Sequence, residues 1–227
     1  VQQEALARTI TKTSKSPFSV LLVASMYADE MSMYLKIYTS LKEKHPKLKL
    51  IIAPRHFHWQ QELVAACHSS GHTTKLCTPD TSSLSASDVM HIFEQHDILL
   101  VCMLGALFEL HYAADIVFLG GTFNTVGGHN PLEAGAWSKP LIVGPNYHNS
   151  HEIIDGLELA GGLKKMTDYA NCQSACDYLL SNKSDAIAMG KNARKWIEER
   201  ANATHYQMSI LKKKLAAADN ASRQSYL

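Results

Sequence analysis

The stretch Gly120–Pro145 decides the fold, and it reads GGTFNTVGGHNPLEAGAWSKPLIVGP. It follows a short apolar run, Ile116–Leu119, and it contains a second run, Leu141–Val143. Pro131 suits the first turn of a helix, because its missing N–H would have no partner there. The predicted order is therefore strand, glycine-rich loop, helix, strand, which is the repeating unit of parallel α/β sheets.

The glycine pairs at 120–121 and 127–128 and the carboxylate of Glu133 suggest a ligand site within this unit. Glycine lets backbone amides approach a ligand closely, and a helix N-terminus attracts anions. A carboxylate at Glu133 can accept hydrogen bonds from hydroxyl groups, so the pattern predicts a ligand with phosphate and sugar. The residues leave an alternative open, since glycine pairs also serve as plain connectors and an early glutamate also complements the helix dipole.

The rest of the chain repeats the alternation of apolar runs and helical patterns. Further strands are predicted at Ser19–Ala24, Leu48–Ala53, Asp97–Met103 and Gly161–Met166, with Lys75–Cys77 as a candidate short strand. Helices are predicted at Asp29–Lys44, Trp59–Ser69, Gly105–Ala113, Ser150–Leu159 and Tyr169–Ser181. Thr78–Ser87 has the composition of a loop. The tail Ser184–Ala218 is predicted to form one long helix or two, broken at Gly190.

This alternation predicts an α/β fold with a doubly wound, Rossmann-like parallel sheet. Such sheets bind ligands at the carboxyl ends of their strands, near the point where the strand order reverses. The predicted division is a linker or extension over 1–18, a nucleotide-sugar-binding domain over 19–183 and a helical extension over 184–227.

Composition and charge exclude several classes of function. The net charge of +1 gives no electrostatic reason to bind nucleic acid. No apolar run approaches the roughly 20 residues that span a bilayer. The five cysteines form no CxxC pair, which favours inert thiols in a reducing compartment. The two close histidine pairs, at 56 and 58 and at 148 and 151, lack a third ligand nearby, and no Asp-x-Asp occurs, so no metal is expected.

The string Gly127–Glu133 (GGHNPLE), with the later Lys-Pro and Gly-Pro, resembles the donor-binding segment of 3-deoxy-D-manno-octulosonic acid (Kdo) transferases, which are lipid A glycosyltransferases. Pro54-Arg55-His56 matches the family's Pro-Arg-His residue for residue, and the resemblance implies that it contacts the cytidine monophosphate (CMP) of the donor. From the residues alone, Arg55 has an alternative role as a surface side chain paired with Glu62 or Asp29.

Two segments depart from the family pattern. The family's Asp-Thr-x-Gly-Glu-Leu is here Cys102-Met103-Leu104-Gly105-Ala106-Leu107, so three polar side chains are lost. The resemblance still implies that backbone amides at Leu104, Gly105 and Ala106 hold the donor phosphate, because that contact needs no side chain. In Ala24–Glu30, Ser25 and Glu30 match the family's strand-end motif whereas Met26 and Tyr27 do not, and Ser25 either contacts the ligand or caps a helix.

Fifteen positions are therefore candidates for donor binding. The thirteen that carry the prediction are Pro54, Arg55, His56, Leu104, Gly105, Ala106, Gly127, Gly128, His129, Asn130, Pro131, Leu132 and Glu133, with Ser25 and Gly121 as further candidates.

The resemblance implies the C-terminal, donor-binding half of a GT-B glycosyltransferase that transfers Kdo from CMP-Kdo to a lipid A precursor, without metal or other cofactor. It implies that the catalytic base, the acceptor site and the membrane contact, at the cytoplasmic side of the bacterial inner membrane, lie in an N-terminal half that this chain does not match. No catalytic residue is then expected in this chain. It also implies that a final helix crosses to the other half, leaving Trp196, Leu211 and Leu215 without partners; the alternative is that this tail packs wholly on its own domain. The alternatives are a GT-B donor domain for a UDP- or GDP-sugar and a nucleotide-binding module without transfer activity.

Overall fold

The computed structural model describes residues 16–80, 84–201 and 208. Its sheet has seven strands, all parallel, in the order β3-β4-β2-β1-β5-β6-β7. The strands are β1 (Ser19–Met26), β2 (Leu48–Pro54), β3 (Thr74–Cys77), β4 (Ile98–Val101), β5 (Ile116–Leu119), β6 (Leu141–Val143) and β7 (Leu163–Lys165). The predicted doubly wound α/β sheet is confirmed, including the candidate strand at 75–77.

Helices connect the strands and cover both faces of the sheet. They are α1 (Met31–Lys44), α2 (Gln60–Ser69), α3 (Ala86–Ile92), α4 (Leu107–Ala113), α5 (Leu132–Ala136), α6 (His151–Leu159), α7 (Tyr169–Ser181) and α8 (183–201). The predicted helices before α8 are confirmed to within two residues. The prediction of a loop over Thr78–Ser87 was wrong at its end, where α3 begins. Ser85 starts that helix by accepting the N–H of Asp88, whose carboxylate accepts the N–H of Ser85 in return.

The core lies in two layers, one on each face of the sheet, because side chains alternate along each strand. In β1, Leu21 and Val23 pack against α1, α2 and α7, while Leu22 and Ala24 pack on the other face against α3, α4 and α6. Burial of β1 on both faces explains its continuous apolar sequence.

The strand order reverses at β1, which pairs with β2 on one side and with β5 on the other. The loops that follow β1 and β5 therefore face each other across the carboxyl edge of the sheet. Gly120, which follows β5, lies so close to the end of β1 that a Cβ on it would be 2.5 Å from the carbonyl oxygen of Ser25. This edge is where a doubly wound sheet presents its ligand site.

Helix α8 runs through Gly190 without a break, so the predicted interruption there was wrong. A Cβ on Gly190 would lie 1.8 Å from the carbonyl oxygen of Ser138, so glycine at this position permits contact between helix and backbone. Trp196 packs against Gly156 of α6 and belongs to the edge of the core, which corrects the expectation that it lacks a partner. Leu211 and Leu215 lie outside the described residues.

All five cysteines are free and buried, as their sequence context predicts. Burial raises the pKa of the Cys67 and Cys102 thiols to about 11 and that of Cys172 to about 12. Among the described helices, none has the length and apolar character needed to cross a bilayer.

Candidate functional site

A cavity of about 390 Å³ opens at the carboxyl edge of the sheet, between the ends of β1, β2 and β4 and the start of α5. This volume lies within the usual range for small-molecule sites. Six of the predicted residues line it, namely Ser25, Pro54, Arg55, Leu104, Gly105 and Glu133. The amino edge of the sheet has a second cavity of about 130 Å³, which is too small for a nucleotide.

Arg55 supplies a cation to the cavity wall directly after β2. Its backbone N–H donates to the carbonyl oxygen of Met26 at 2.8 Å, which fixes the residue beside the end of β1. Its side chain is exposed and forms no ion pair with a described residue, so the alternative of pairing with Glu62 or Asp29 is not what the structure shows. His56 is also exposed, and its ring packs edge-on against Tyr27 and Trp59 rather than lining the cavity.

The loop after β4 forms the opposite wall. Gly105 adopts a left-handed backbone conformation with φ of 81°, and a Cβ there would meet no atom within 4 Å. The N–H groups of Leu104 and Gly105 donate to no described residue, so they remain available to an anion. Leu104 itself is 85% exposed, while Ala106 is buried and packs below the loop.

Glu133 is the second residue of α5 and reaches the cavity with a side chain that is 38% exposed. The carboxylate oxygen Oε2 lies 4.0 Å from Nδ1 of His111, which donates to the carbonyl oxygen of Leu107 at 2.7 Å. Burial lowers the pKa of His111 to about 4, so this imidazole is neutral and does not form an ion pair with Glu133. The carboxylate therefore keeps acceptor capacity for a ligand.

The amides of the glycine pair at 127–128 have partners within the protein. Both N–H groups donate to the carbonyl oxygen of Gly121, at 3.0 and 2.7 Å. A Cβ on Gly127 would lie 2.3 Å from the ring of His148, and φ is 93°. These glycines therefore allow the loop to fold against its own protein, and in this conformation their amides are not free to bind phosphate.

The remaining predicted residues hold the segment between this loop and Glu133. The Asn130 side chain accepts the N–H of Leu132 at 3.0 Å, which caps α5 directly after Pro131. The ring of His129 stacks on that of Tyr27, with centroids 5.6 Å apart and planes 5° from parallel. Burial, followed by the nearby Arg55 and His56, lowers the pKa of His129, so the imidazole is neutral at physiological pH.

Ser25 lines the cavity in a left-handed conformation with φ of 56°, at an irregularity in the pairing of β1 with β2. It does not cap a helix, because Tyr27 is the residue that precedes the short turn Ala28–Glu30. Gly121 does not line the cavity, and its N–H donates to the buried carboxylate of Glu30 at 2.8 Å.

Sequence reasoning missed two groups of residues around the site. The apolar lining comes from Ala53, Phe57, Val101, Met103, Leu107, Phe108 and Leu110. Their types are those of ordinary core residues, so no sequence signal marks them. Glu30 was also missed as a site residue, and its match to the family's strand-end motif was the signal that could have found it. Among the described residues, no three His, Cys, Asp or Glu side chains are arranged to hold a metal ion.

Comparison with curated proteins finds relatives that share one name. A 3-deoxy-D-manno-octulosonic acid transferase from Aquifex aeolicus is 28% identical over 167 residues, covering 73% of this chain and 43% of that protein. One from Bordetella pertussis is 28% identical over 195 residues, covering 85% of this chain and 44% of that protein. The chain is similar to Kdo transferases. The resemblance inferred from the motifs is thereby confirmed, although no protein-family model matches.

Solved structures show which fold this chain shares with known proteins. The C-terminal CMP-Kdo binding domain of WaaA from Acinetobacter baumannii aligns with a TM-score of 0.68 at 23% identity, covering 86% of this chain and 96% of that one. Anabaena HepE in complex with UDP aligns with a TM-score of 0.59 at 12% identity, covering 92% and 52%. These alignments confirm the Rossmann-like fold of a GT-B domain. This chain spans less than half the length of the two curated relatives.

Proposed function

We propose that this chain is the donor-binding domain of a glycosyltransferase that transfers Kdo from CMP-Kdo to a lipid A precursor in lipopolysaccharide biosynthesis. The observation that carries the proposal is the convergence of Arg55, Glu133 and the open amides of Leu104 and Gly105 on one cavity. These groups come from three separate segments, namely the ends of β2 and β4 and the start of α5, in a chain similar to Kdo transferases over most of its length.

Together these groups suit the ribose, the phosphate and the base of CMP. The Glu133 carboxylate accepts hydrogen bonds from the ribose hydroxyls, and such bonds to a charged group are stronger than neutral ones. The guanidinium of Arg55 offers planar, paired donors to phosphate or to the pyrimidine edge. The amides of Leu104 and Gly105 add donors to the phosphate without side-chain charge.

The same groups have a role in transfer. An acceptor hydroxyl attacks the anomeric carbon of Kdo, its proton passes to a base in the N-terminal half, and the bond to the CMP oxygen breaks. Negative charge then gathers on the departing phosphate, where Arg55 and the loop amides meet it. The acceptor, the membrane contact and the location at the cytoplasmic side of the inner membrane belong to this proposal, as does catalysis without metal.

Calorimetric titration of the 227 residues with CMP, UMP and GMP tests the donor. CMP is expected to bind most tightly, though weakly in absolute terms, because a partner domain contributes part of the ligand's burial. Affinity unchanged by a chelator would agree with a metal-free site. Tighter binding of UMP or GMP would favour a donor domain for another nucleotide sugar, and no binding of any of the three would contradict the proposal.

Arg55→Lys tests the contact with CMP, because an ammonium group cannot reproduce the planar fork of the guanidinium. The variant is expected to bind CMP less tightly while remaining folded, since the side chain is exposed. Unchanged affinity, with unchanged dependence on salt, would make Arg55 an ordinary surface residue.

The isolated chain is expected to transfer no Kdo, and measurable transfer would contradict the assignment of the base to the other half.

A further inference from the structure

Glu30 is a buried carboxylate at the point where the strand order reverses, and it is only 3% exposed. Its oxygen Oε2 accepts the N–H groups of Tyr27 at 3.1 Å and Gly121 at 2.8 Å. Its oxygen Oε1 accepts the N–H of Phe123 at 3.1 Å. One side chain thus joins the loop after β1 to the loop after β5.

Two lines of contact lead from Glu30 into the candidate site. Along the first, Gly121 donates to Glu30 and accepts, through its carbonyl oxygen, the N–H groups of Gly127 and Gly128. Along the second, Tyr27 donates to Glu30 through its backbone and stacks its ring on that of His129. The residues reached in this way, Gly127, Gly128 and His129, all lie within six residues of Glu133 in the sequence, in the segment that leads to Glu133.

We infer that Glu30 is a positioning residue of the donor site, and that its ionised carboxylate holds the 121–129 segment in the conformation that binds the nucleotide. The identity of the bound nucleotide rests on the proposed function. The positioning role of Glu30 rests on its hydrogen bonds and on the ring contact of Tyr27 alone. Glu30 does not line the cavity, so its effect on the ligand passes through the loop.

The geometry requires a carboxylate rather than a neutral side chain of the same shape. Three N–H donors point at two oxygens, and an ionised carboxylate has acceptor capacity for all three. A glutamine would turn its NH₂ group toward at least one of these donors, and a protonated glutamate would do the same with its O–H. Either change leaves a buried N–H without a partner, which is the costly outcome for a buried polar group.

The surroundings of Glu30 contain no compensating cation among the described residues. Asp29 faces it from the same turn, Tyr34 faces it from α1 with a buried hydroxyl, and the loop after β5 presents backbone N–H groups. Burial raises the pKa of Glu30 above its usual value, against the lowering effect of the three N–H groups. Burial therefore opposes the ionised form of Glu30, and the three N–H groups favour it.

The test compares the 227-residue chain with Glu30→Gln and with Glu43→Gln, which makes the same chemical change at an exposed position of α1. CMP affinity at pH 7.5 is measured by calorimetry. Glu30→Gln is expected to lose at least tenfold in affinity, while Glu43→Gln stays within twofold of the wild type. Amide hydrogen exchange of Glu30→Gln is expected to lose protection at Gly127 and Gly128 and to keep it in β1 and β5.

A spectroscopic signature separates this role from a merely structural one. In the unliganded wild type, the amide protons of Tyr27, Gly121 and Phe123 are expected to shift together with one shared pKa as Glu30 is titrated between pH 4 and 8. They are expected to stay constant in Glu30→Gln. Independent or absent shifts in the wild type overturn the inference, even if the variant fails to fold.

Three further outcomes are informative. A folded Glu30→Gln with wild-type CMP affinity overturns the inference. If the wild type itself binds no CMP, the proposed donor is wrong, and the positioning of the loop is then judged on the amide titration and on exchange at Gly127 and Gly128. Loss of protection throughout the sheet of Glu30→Gln also overturns it, because Glu30 would then support the whole fold.

Discussion

The loop after β5, residues 120–131, and the loop after β4, residues 102–106, lie at the same edge of the sheet and are built differently. In the first, Gly127 and Gly128 donate to Gly121, which donates to Glu30. In the second, the amides of Leu104 and Gly105 donate to no described residue. The loop after β5, which matches the family's glycine-rich motif, thus has its amides bonded within the protein. The loop after β4, which is less similar to the family, has the N–H donors that are unpaired among the described residues.

The largest expected effect is a loss of stability when Gly127, in the loop after β5, is replaced. Gly127→Ala places a Cβ against the ring of His148 in a left-handed backbone conformation. The variant is expected to lose roughly 2–4 kcal/mol of unfolding free energy, from backbone strain and overpacking together. Urea unfolding measures the loss, and a change below about 1 kcal/mol would show that the loop can rearrange without cost.

Glu133→Ala is expected to weaken CMP binding at least tenfold, equivalent to about 1.4 kcal/mol, because hydrogen bonds to a charged acceptor are lost. Its stability should change little, since the side chain is 38% exposed. Glu152→Ala is the matched control, because Glu152 is likewise the second residue of its helix and is exposed. Equal CMP affinity of the two variants in calorimetry would remove Glu133 from the site.

Gly105→Ala is expected to cost about 1–2 kcal/mol of stability, from the left-handed conformation alone. The Cβ would meet no atom within 4 Å, in contrast to Gly127. Comparing the two alanine variants under the same urea conditions isolates the contribution of close packing. A loss for Gly105→Ala as large as that for Gly127→Ala would contradict the difference between the loops.

The smallest expected effect is on Leu104, whose side chain is 85% exposed. Leu104→Ser should change the unfolding free energy by no more than about 0.5 kcal/mol, as is usual for surface positions. A clear loss in urea unfolding would mean that the loop after β4 is held by its side chains after all.

The sequence predicted the central strands well because their apolar runs are buried on both faces of a parallel sheet. The helix α3 was missed because its apolar pattern is short and follows loop-like residues. Its start was nevertheless marked by Ser85 and Asp88, which cap it. Gly190 was taken for a break because glycine disfavours helices, but the close approach of Ser138 explains why glycine is present.

Some residues of the candidate site could be predicted from the sequence and others could not. Arg55 and Glu133 project side chains into the cavity, so their types and positions at strand and helix ends were informative. The glycines at 127–128 gave an ambiguous signal, because the need for close approach does not say whether a ligand or the protein itself comes close. Two of the three hydrogen-bond partners of Glu30, Gly121 and Phe123, are 91 and 93 residues away along the chain, a pairing that no local pattern contains.

The buried cysteines have a practical consequence. The thiolate is the form that reacts, and all five cysteines are buried with raised pKa values. A cysteine introduced at the exposed position of Leu104 would therefore be alkylated by a maleimide dye in preference to every native thiol. A fluorophore attached there would report occupancy of the cavity without any need to remove the native cysteines.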